Sequence, residues 1–276
     1  MSDAAADVQI LTVGSCSHVR DEHRGHVVVS GSYGGNYNAY NAARHLVRAV
    51  IMNDAGRGKN DAGICGLAYL DRIGLAAATA DANTCHIGDG AHILAHGVIS
   101  HVNQAAAALG CAPGQSVQAC AALLRAASLA TGTAPPISDG NRVTIHDVAG
   151  EPKIVCADSV GMIKPEDAGQ IVVTASHAAI FPRPSDNEIA PVRAVFFSDA
   201  GGGMDGAGYA RLADLERRGI PAATVSAASA PIGDSRAIYA DGIISHVNAK
   251  AARAGAQIGA KLCDFIARLI AQAKNQ

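Results

Sequence analysis

The sequence predicts an α/β protein built from two tandem, internally duplicated α/β domains, each with a mostly parallel sheet. Short β-branched runs alternate with amphipathic stretches along the whole chain. The second half repeats the first, and a Pro/Gly/Ser-rich segment joins them. The strands are apolar throughout instead of alternating, which is typical of sheets covered on both faces.

The same pattern of elements can be assigned in each half. Strands are predicted first at "VQILTV", "HVVVSGS", "AVIMND" and "GLAAATA", and again at "KIVCAD", "QIVVTAS", "RAVFFSD" and "PAATVSA". Helices are predicted over roughly 36–48, 60–72 and 98–109. These boundaries define a first repeat at 1–130, a linker at 131–141 and a second repeat at 142–276.

The duplication is clearest in the middle of each half. Residues 50–110 align with 195–255 without a gap and agree at about half of the positions, including the heptapeptides "GVISHVN" and "GIISHVN". We expect a pseudo-twofold axis between the halves, with their polar loops facing a common cleft. Because the heptapeptide occurs in both copies, we expect it to serve the architecture by fixing the contact between domains.

Composition favours a small-molecule ligand. The 276 residues carry a formal net charge of −2 without a run of lysine or arginine, so binding to nucleic acid or to a membrane is not expected. The N-terminus lacks a secretory pattern and the seven cysteines are irregularly spaced, which favours the cytoplasm. The apolar stripe in "KLCDFIARLIAQA" leaves a homo-oligomer open.

The loop "NDAGRGKNDAG", residues 53–63, is the first candidate binding segment. A glycine-rich turn before a helix exposes N–H groups that suit an anion, and Lys59 adds a cation where the second copy has Met204. The loop matches no nucleotide-binding motif, so no cofactor is expected. The alternative is a tight turn without a ligand. The predicted binding residues here are Asn53, Asp54, Gly56 and Gly58.

The segment "SGSYGG" offers a hydroxyl and backbone amides at the end of a predicted strand. Ser32, followed by Gly34 and Gly35, is placed either to attack a carbonyl or to bind a carboxylate or phosphate. The corresponding binding residues of the second copy are Ser176, His177, Asp199 and Gly201.

Histidines are concentrated in the first half, where the second half has other residues at the aligned positions. His86 is the predicted general acid and base, with Asp81 to orient it and Asn83 to bind substrate. His92 and His96 are four residues apart and provide an alternative metal site, although the usual H-E-x-x-H pattern is absent.

These residues predict an enzyme that acts on a small anionic or amide-bearing metabolite in the cleft between the repeats. Hydrolysis of a C–N bond or proton transfer is the expected chemistry, with Ser32, Lys59, His86 and Asp81 as catalytic residues. A non-catalytic small-anion binding or sensor protein is one alternative. A metal-dependent lyase or isomerase is the other.

Overall fold

Two α/β units make up the chain in this computed structural model, which describes residues 8–137 and 140–274. The first unit contains Met1–Gly56 and Gly63–Ile137, and the second contains Arg57–Ala62 and Ser138–Gln276. Positions 138 and 139 of the expected linker, and the first seven residues, lie outside the described residues.

The first unit has a five-stranded sheet. Its strands are β1 Ile10–Val13, β2 Val27–Tyr33, β3 Ala49–Asn53, β4 Ala76–Ala80 and β5 Ile99–Val102. The first four strands are parallel and β5 pairs antiparallel with β4. The helices are α1 Asn36–Arg44, α2 Gly66–Asp71, α3 Gly90–His96, α4 Gln104–Ala107 and α5 Val117–Leu124.

The second unit has a six-stranded sheet. Its strands are β6 Arg142–His146, β7 Ile154–Ala157, β8 Ile171–His177, β9 Ala194–Ser198, β10 Ala222–Val225 and β11 Ile244–Val247. Strands β7 to β10 are parallel, whereas β6 and β11 are antiparallel edge strands. The helices are α6 Arg211–Arg217, α7 Ser235–Asp241, α8 Ala249–Arg253 and α9 Leu262–Ala273.

These observations confirm the predicted α/β class with mostly parallel sheets. The central strands are fully buried because apolar clusters cover both faces of each sheet, and the two clusters of the first unit separate the α1 and α2 side from the α3 and α5 side. The symmetry expected between the halves stays a prediction.

The strand order lacks the reversal at which ligands bind in many open α/β sheets. In both sheets spatial neighbours follow chain order, β1 to β5 and β6 to β11. Neither described sheet has a point where the order reverses, so the general rule for open α/β sheets does not by itself locate a site.

The prediction of a helix over 98–109 is wrong in its first half. Residues Ile99–Val102 form β5, and the repeated segment Ile244–Val247 forms β11. Four residues of alternating polarity are too short to identify a strand locally, and the partner strand that stabilises β5 lies about twenty positions earlier in the chain.

No helix within residues 8–137 and 140–274 has the length and apolar character required to cross a membrane.

Candidate functional site

Ser32 lies near the end of β2 and is hydrogen-bonded to the turn that follows β1. Its Oγ accepts a hydrogen bond from the Cys16 N–H at 2.9 Å and is 3.3 Å from the Ser15 hydroxyl oxygen. The residue is 5% exposed. Among the described residues, its hydrogen-bond partners are Ser15, Cys16 and Ser30, none of which is a base that would activate a nucleophile.

The thiol of Cys16 is a second candidate nucleophile beside Ser32. Its Sγ donates to the Ser30 hydroxyl oxygen at 3.2 Å. Burial raises the pKa of the Cys16 thiol to about 11. The thiol is therefore protonated at neutral pH and is a poor nucleophile.

Ser176 makes the same backbone contact in the second unit. Its Oγ accepts a hydrogen bond from the Val160 N–H at 2.9 Å. In both units the serine thus satisfies an amide in the turn after the first parallel strand. A shared contact of this kind favours a structural role for Ser32 and Ser176.

Gly34 and Gly35 lead into α1, with Gly35 as its N-cap. The Gly34 N–H donates to the Asn53 carbonyl oxygen at 2.9 Å. A Cβ at Gly34 would lie 2.8 Å from the Gly63 carbonyl oxygen, so glycine allows this close approach. The Gly34 amide is therefore engaged within the fold.

Side chains at the end of β3 accept hydrogen bonds from backbone N–H groups of nearby loops. Asn53 Oδ1 accepts a hydrogen bond from the Ala55 N–H at 2.8 Å. Asp54 Oδ1 accepts from the Gly56 N–H at 2.9 Å and from the Ala82 N–H at 3.0 Å. These bonds tie the loop after β3 to the loop after β4 and use amides that a bound anion would require.

Asp199 repeats the contacts of Asp54 in the second unit. Its Oδ1 accepts hydrogen bonds from the Gly201 and Ala227 N–H groups, both at 2.9 Å. The aspartates therefore connect neighbouring loops in both sheets, which favours architecture over substrate binding at these positions.

Lys59 belongs to the second unit rather than to the loop rim of the first. Its Nζ donates to the Ser229 carbonyl oxygen at 3.1 Å and lies 3.3 Å from the Asp241 carboxylate. Its N–H donates to the Ala227 carbonyl oxygen at 2.8 Å. Gly58 has a φ of 66° and packs against Ala227, so glycine is required for this conformation. The charge of Lys59 already faces a carboxylate.

Asp81, Asn83 and His86, which are predicted to transfer a proton and bind substrate, lie in the loop after β4. The Asp81 carboxylate accepts hydrogen bonds from the Asn83 N–H and side-chain amide at 2.8 and 3.0 Å, and caps the turn over 82–84. His86 instead stacks on His92, with ring centroids 3.8 Å apart. The predicted role of Asp81 in orienting His86 stays a prediction.

His92 also lies against His96, with ring centroids 4.4 Å apart. Its Nδ1 accepts a hydrogen bond from the His86 N–H at 3.2 Å. Among the described residues, no group of three or more His, Cys, Asp or Glu side chains is placed to hold a metal ion.

A cavity of about 600 Å³ lies in the second unit, between the segment after β8 and helix α6. This volume is within the range of small-molecule sites. Its apolar wall is formed by Ile180, Phe181, Pro182, Pro184 and Ile189. Its charged residues are Glu188, Arg211, Asp214, Arg217 and Arg218.

Arg211 is the most unusual residue of this cavity because it is 0% exposed. Its Nε donates to the Ala179 carbonyl oxygen at 3.1 Å, and its Nη2 donates to Asn187 Oδ1 at 3.2 Å. Its Nη1 is buried and has no hydrogen-bond partner within the described part of the chain. Burial lowers the pKa of Arg211 to about 10, so the guanidinium remains charged at neutral pH.

The other two arginines of the cavity are already paired. Arg217 lies 3.0 Å from the Asp214 carboxylate and its side chain is 76% exposed. Arg218 lies 3.8 Å from the same residue and donates to the Ile189 carbonyl oxygen at 2.7 Å. Arg211, by contrast, has no carboxylate within 4.0 Å among the described residues.

His177, predicted to bind substrate, lies close to this cavity. Its ring centroid is 5.4 Å from that of Phe181, and its Nδ1 accepts the Ala179 N–H at 3.2 Å. Burial, with a further contribution from the Arg211 charge, lowers the pKa of His177 to about 3. The imidazole is therefore neutral, and the proton is on Nε2.

Sequence reasoning did not find Arg211, although the alignment of the two halves contained a signal for it. The aligned residue of the first unit is Gly66, where a Cβ would lie 2.8 Å from the carbonyl oxygens of Gly34 and Gly35. In the second unit a proline-containing segment replaces helix α1, and a full arginine side chain occupies the corresponding place. A search for one-sided charges in the second copy would have identified this substitution.

Comparisons of this chain with protein-family models, with curated proteins and with solved structures gave no match.

Proposed function

We propose that this chain binds a small organic anion in the cavity of the second unit, with Arg211 as the residue that holds the negative charge. The observation that carries this proposal is the buried guanidinium whose Nη1 has no partner among the described residues. This function corresponds to the binding alternative expected from the sequence.

The buried guanidinium of Arg211 is energetically unfavourable without an anion. A buried charge is strongly unfavourable unless it is paired and hydrogen-bonded, and a buried donor left unsatisfied costs about 1–3 kcal/mol. Phe181 and Phe197 lie next to the guanidinium at 5.3 and 5.9 Å, and these ring faces offset only part of that cost. An anion at Nη1 would supply the missing charge and acceptor together.

Entry of the anion requires a small rearrangement, because the guanidinium is in the wall of the cavity and is 0% exposed. We assign this movement to the segment 180–189. Its outer residues are exposed, with Ile180 at 47%, and it is held by Asn187, which bonds the backbone of Phe181 at both N–H and carbonyl.

The enzyme expected from the sequence stays a prediction. Ser32 has no base among its described hydrogen-bond partners, and Lys59 is paired with Asp241. Binding of an anionic ligand is also the first step of the predicted hydrolysis or proton transfer. Both classes therefore share the test that follows.

The test compares the same substitution at two arginines of one cavity. Thermal unfolding is followed with and without millimolar acetate, phosphate or phenylacetate. At least one anion should raise the Tm of the unchanged chain and of Arg217→Met, since Arg217 is exposed and already paired. The rise should be lost in Arg211→Met.

An anion-induced rise that persists in Arg211→Met would contradict the proposal. If Arg211→Met does not fold, Asn187→Ala provides a second test, because it removes the acceptor that positions Nη2 and leaves the charge in place. Anion-induced stabilisation should then weaken without disappearing.

A further inference from the structure

We infer that the ligand of this cavity is a monocarboxylate with an apolar body, such as an aryl or branched alkyl acid. This inference rests on the proposed function and specifies its ligand class. It follows from the charge balance, the donor geometry and the walls of the cavity.

The charge balance favours a single negative charge. Three arginines and two carboxylates line the cavity, and the carboxylate of Asp214 is shared by Arg217 and Arg218. The charged residues of the lining therefore carry one net positive charge, and Arg211 is the arginine of this lining for which the described residues show no ion pair. A carboxylate carries one negative charge at neutral pH, whereas a phosphate monoester carries about 1.5 to 2.

The remaining donors of Arg211 suit a planar acceptor. Guanidinium has five N–H donors in a rigid fork, and here Nε and one N–H of Nη2 are engaged by Ala179 and Asn187. Both N–H groups of Nη1 and the second one of Nη2 are left. The outer edge between these two nitrogens matches the two oxygens of a carboxylate.

The walls and the volume require more than an inorganic ion. Five apolar side chains form one side of the cavity, and Phe181 lies with its ring 5.3 Å from the Arg211 guanidinium. A volume of about 600 Å³ exceeds what a bare anion would fill. An apolar body placed against Phe181 would remove this surface from water.

The experiment measures binding of four probes to the unchanged full chain by isothermal titration calorimetry. The probes are phenylacetate, acetate, phenylacetamide and inorganic phosphate. We expect phenylacetate to bind at least about tenfold more tightly than acetate, because burial of its ring removes apolar surface from water. Phenylacetamide, which has the ring without the charge, should also bind at least about tenfold more weakly than phenylacetate.

Two variants and a control separate the carboxylate contact from the apolar contact. Phe181→Ala should reduce phenylacetate affinity while acetate affinity stays the same, and the control Arg268→Met, at an exposed position outside the cavity lining, should change neither. Arg211→Met should abolish binding of both acids.

The failures of the two proposals are distinguishable. Acetate or phosphate binding as tightly as phenylacetate, and lost in Arg211→Met, would overturn the ligand class while the anion site remains. Binding of phenylacetamide equal to that of phenylacetate would overturn the requirement for charge. Absence of any Arg211-dependent binding would overturn both proposals.

Discussion

At the scale of single residues, Gly66 and Arg211 occupy aligned positions of the two halves and differ in size and charge. Glycine lets α1 pack closely against α2, and arginine instead occupies the corresponding space in the second unit with a charged side chain. Arginine in place of glycine, together with a proline-containing segment in place of α1, accompanies the change from a packed helix contact to a candidate binding site. The backbone bonds of the two residues are equivalent. The Gly66 N–H donates to the Gly34 carbonyl oxygen and the Arg211 N–H donates to the Ala178 carbonyl oxygen, both at 2.8 Å.

His177 gives a prediction for the pH dependence of stability. Its pKa falls from 6.5 to about 3 on folding, so the unfolded chain takes up a proton below about pH 6.5 that the folded chain does not. This residue should therefore lower the free energy of unfolding as the pH falls from 6.5 towards 3, by up to about 1.4 kcal/mol per pH unit. His177→Asn keeps an acceptor near the Ala179 N–H. Its free energy of unfolding, measured by urea denaturation, should decrease less steeply between pH 6 and pH 4 than that of the unchanged chain.

Ile258→Asn provides the control because Ile258 is 67% exposed and the substitution neither adds nor removes a titratable group. Its pH dependence should match that of the unchanged chain. An equal slope in His177→Asn and the unchanged chain would contradict the explanation.

Asn248 shows why the heptapeptide occurs twice. Its Oδ1 accepts hydrogen bonds from the Ala222 and Ala251 N–H groups at 3.1 and 2.9 Å, and its Nδ2 donates to the Ile220 carbonyl oxygen at 2.8 Å. Asn103 makes the equivalent bonds in the first unit. Asn248 thus connects the start of β10 to helix α8, and Asn103 connects the start of β4 to helix α4.

We expect Asn248→Ala to lower the free energy of unfolding by about 2–4 kcal/mol, because it removes a helix N-cap and leaves buried backbone groups unsatisfied. Equilibrium urea denaturation measures this loss. Asn83→Ala, at an exposed position, should change stability by no more than about 0.5 kcal/mol. Similar losses in the two variants would be inconsistent with the assigned role.

At the scale of elements, the loops at the carboxyl ends of the strands are fixed by side chains before any ligand binds. Asp54 and Asp199 each hold two amides from different loops. Within the segment 53–63, the Ala55 and Gly56 amides are thus held by side-chain acceptors of the same loop, and the anion site expected there stays a prediction. Glycines and an aspartate after a strand look the same in sequence whether they bind an anion or close a turn.

Asp54→Ala should lower the free energy of unfolding by about 1–3 kcal/mol, because the Gly56 and Ala82 amides lose their acceptor. Amide hydrogen exchange at Ala82 should accelerate. Asp54→Asn retains an Oδ1 acceptor and should preserve most of the stability and the slow exchange. If alanine and asparagine gave the same exchange rates, the acceptor role of Oδ1 would be wrong.

At the scale of the whole molecule, each unit has apolar clusters on both faces of its own sheet. Phe196 lies on the central strand β9, is 0% exposed and contacts Phe265 edge to face with centroids 5.9 Å apart. Phe196→Ala should cost about 3–5 kcal/mol through lost burial and the cavity left behind. Chemical denaturation, with hydrogen exchange in β8 to β10, measures the effect.

The control for this prediction is Ile258→Ala. Ile258 is 67% exposed, so its truncation should change stability by less than about 0.5 kcal/mol. Equal losses from the two substitutions would show that burial is not what determines the effect.

The sequence by itself determined the class of fold and the central strands. Uninterrupted runs such as "HVVVS" and "RAVFF" carry their own signal, since a strand buried on both faces is apolar at every position. The repeated segments also identified shared positions, and Asp54, Asn103 and their counterparts indeed make equivalent contacts.

Only the tertiary structure decided which polar residues are already satisfied. The edge strands β5 and β11 depend on a partner strand distant in sequence, and the contact between Lys59 and Asp241 joins residues 182 positions apart. Arg211 became a candidate because its Nη1 has no hydrogen-bond partner in the part of the chain that the structure describes, which can be recognised only when the neighbouring acceptors have been located. Hydrogen-bond satisfaction depends on distances in space, and a residue's type and spacing do not contain them.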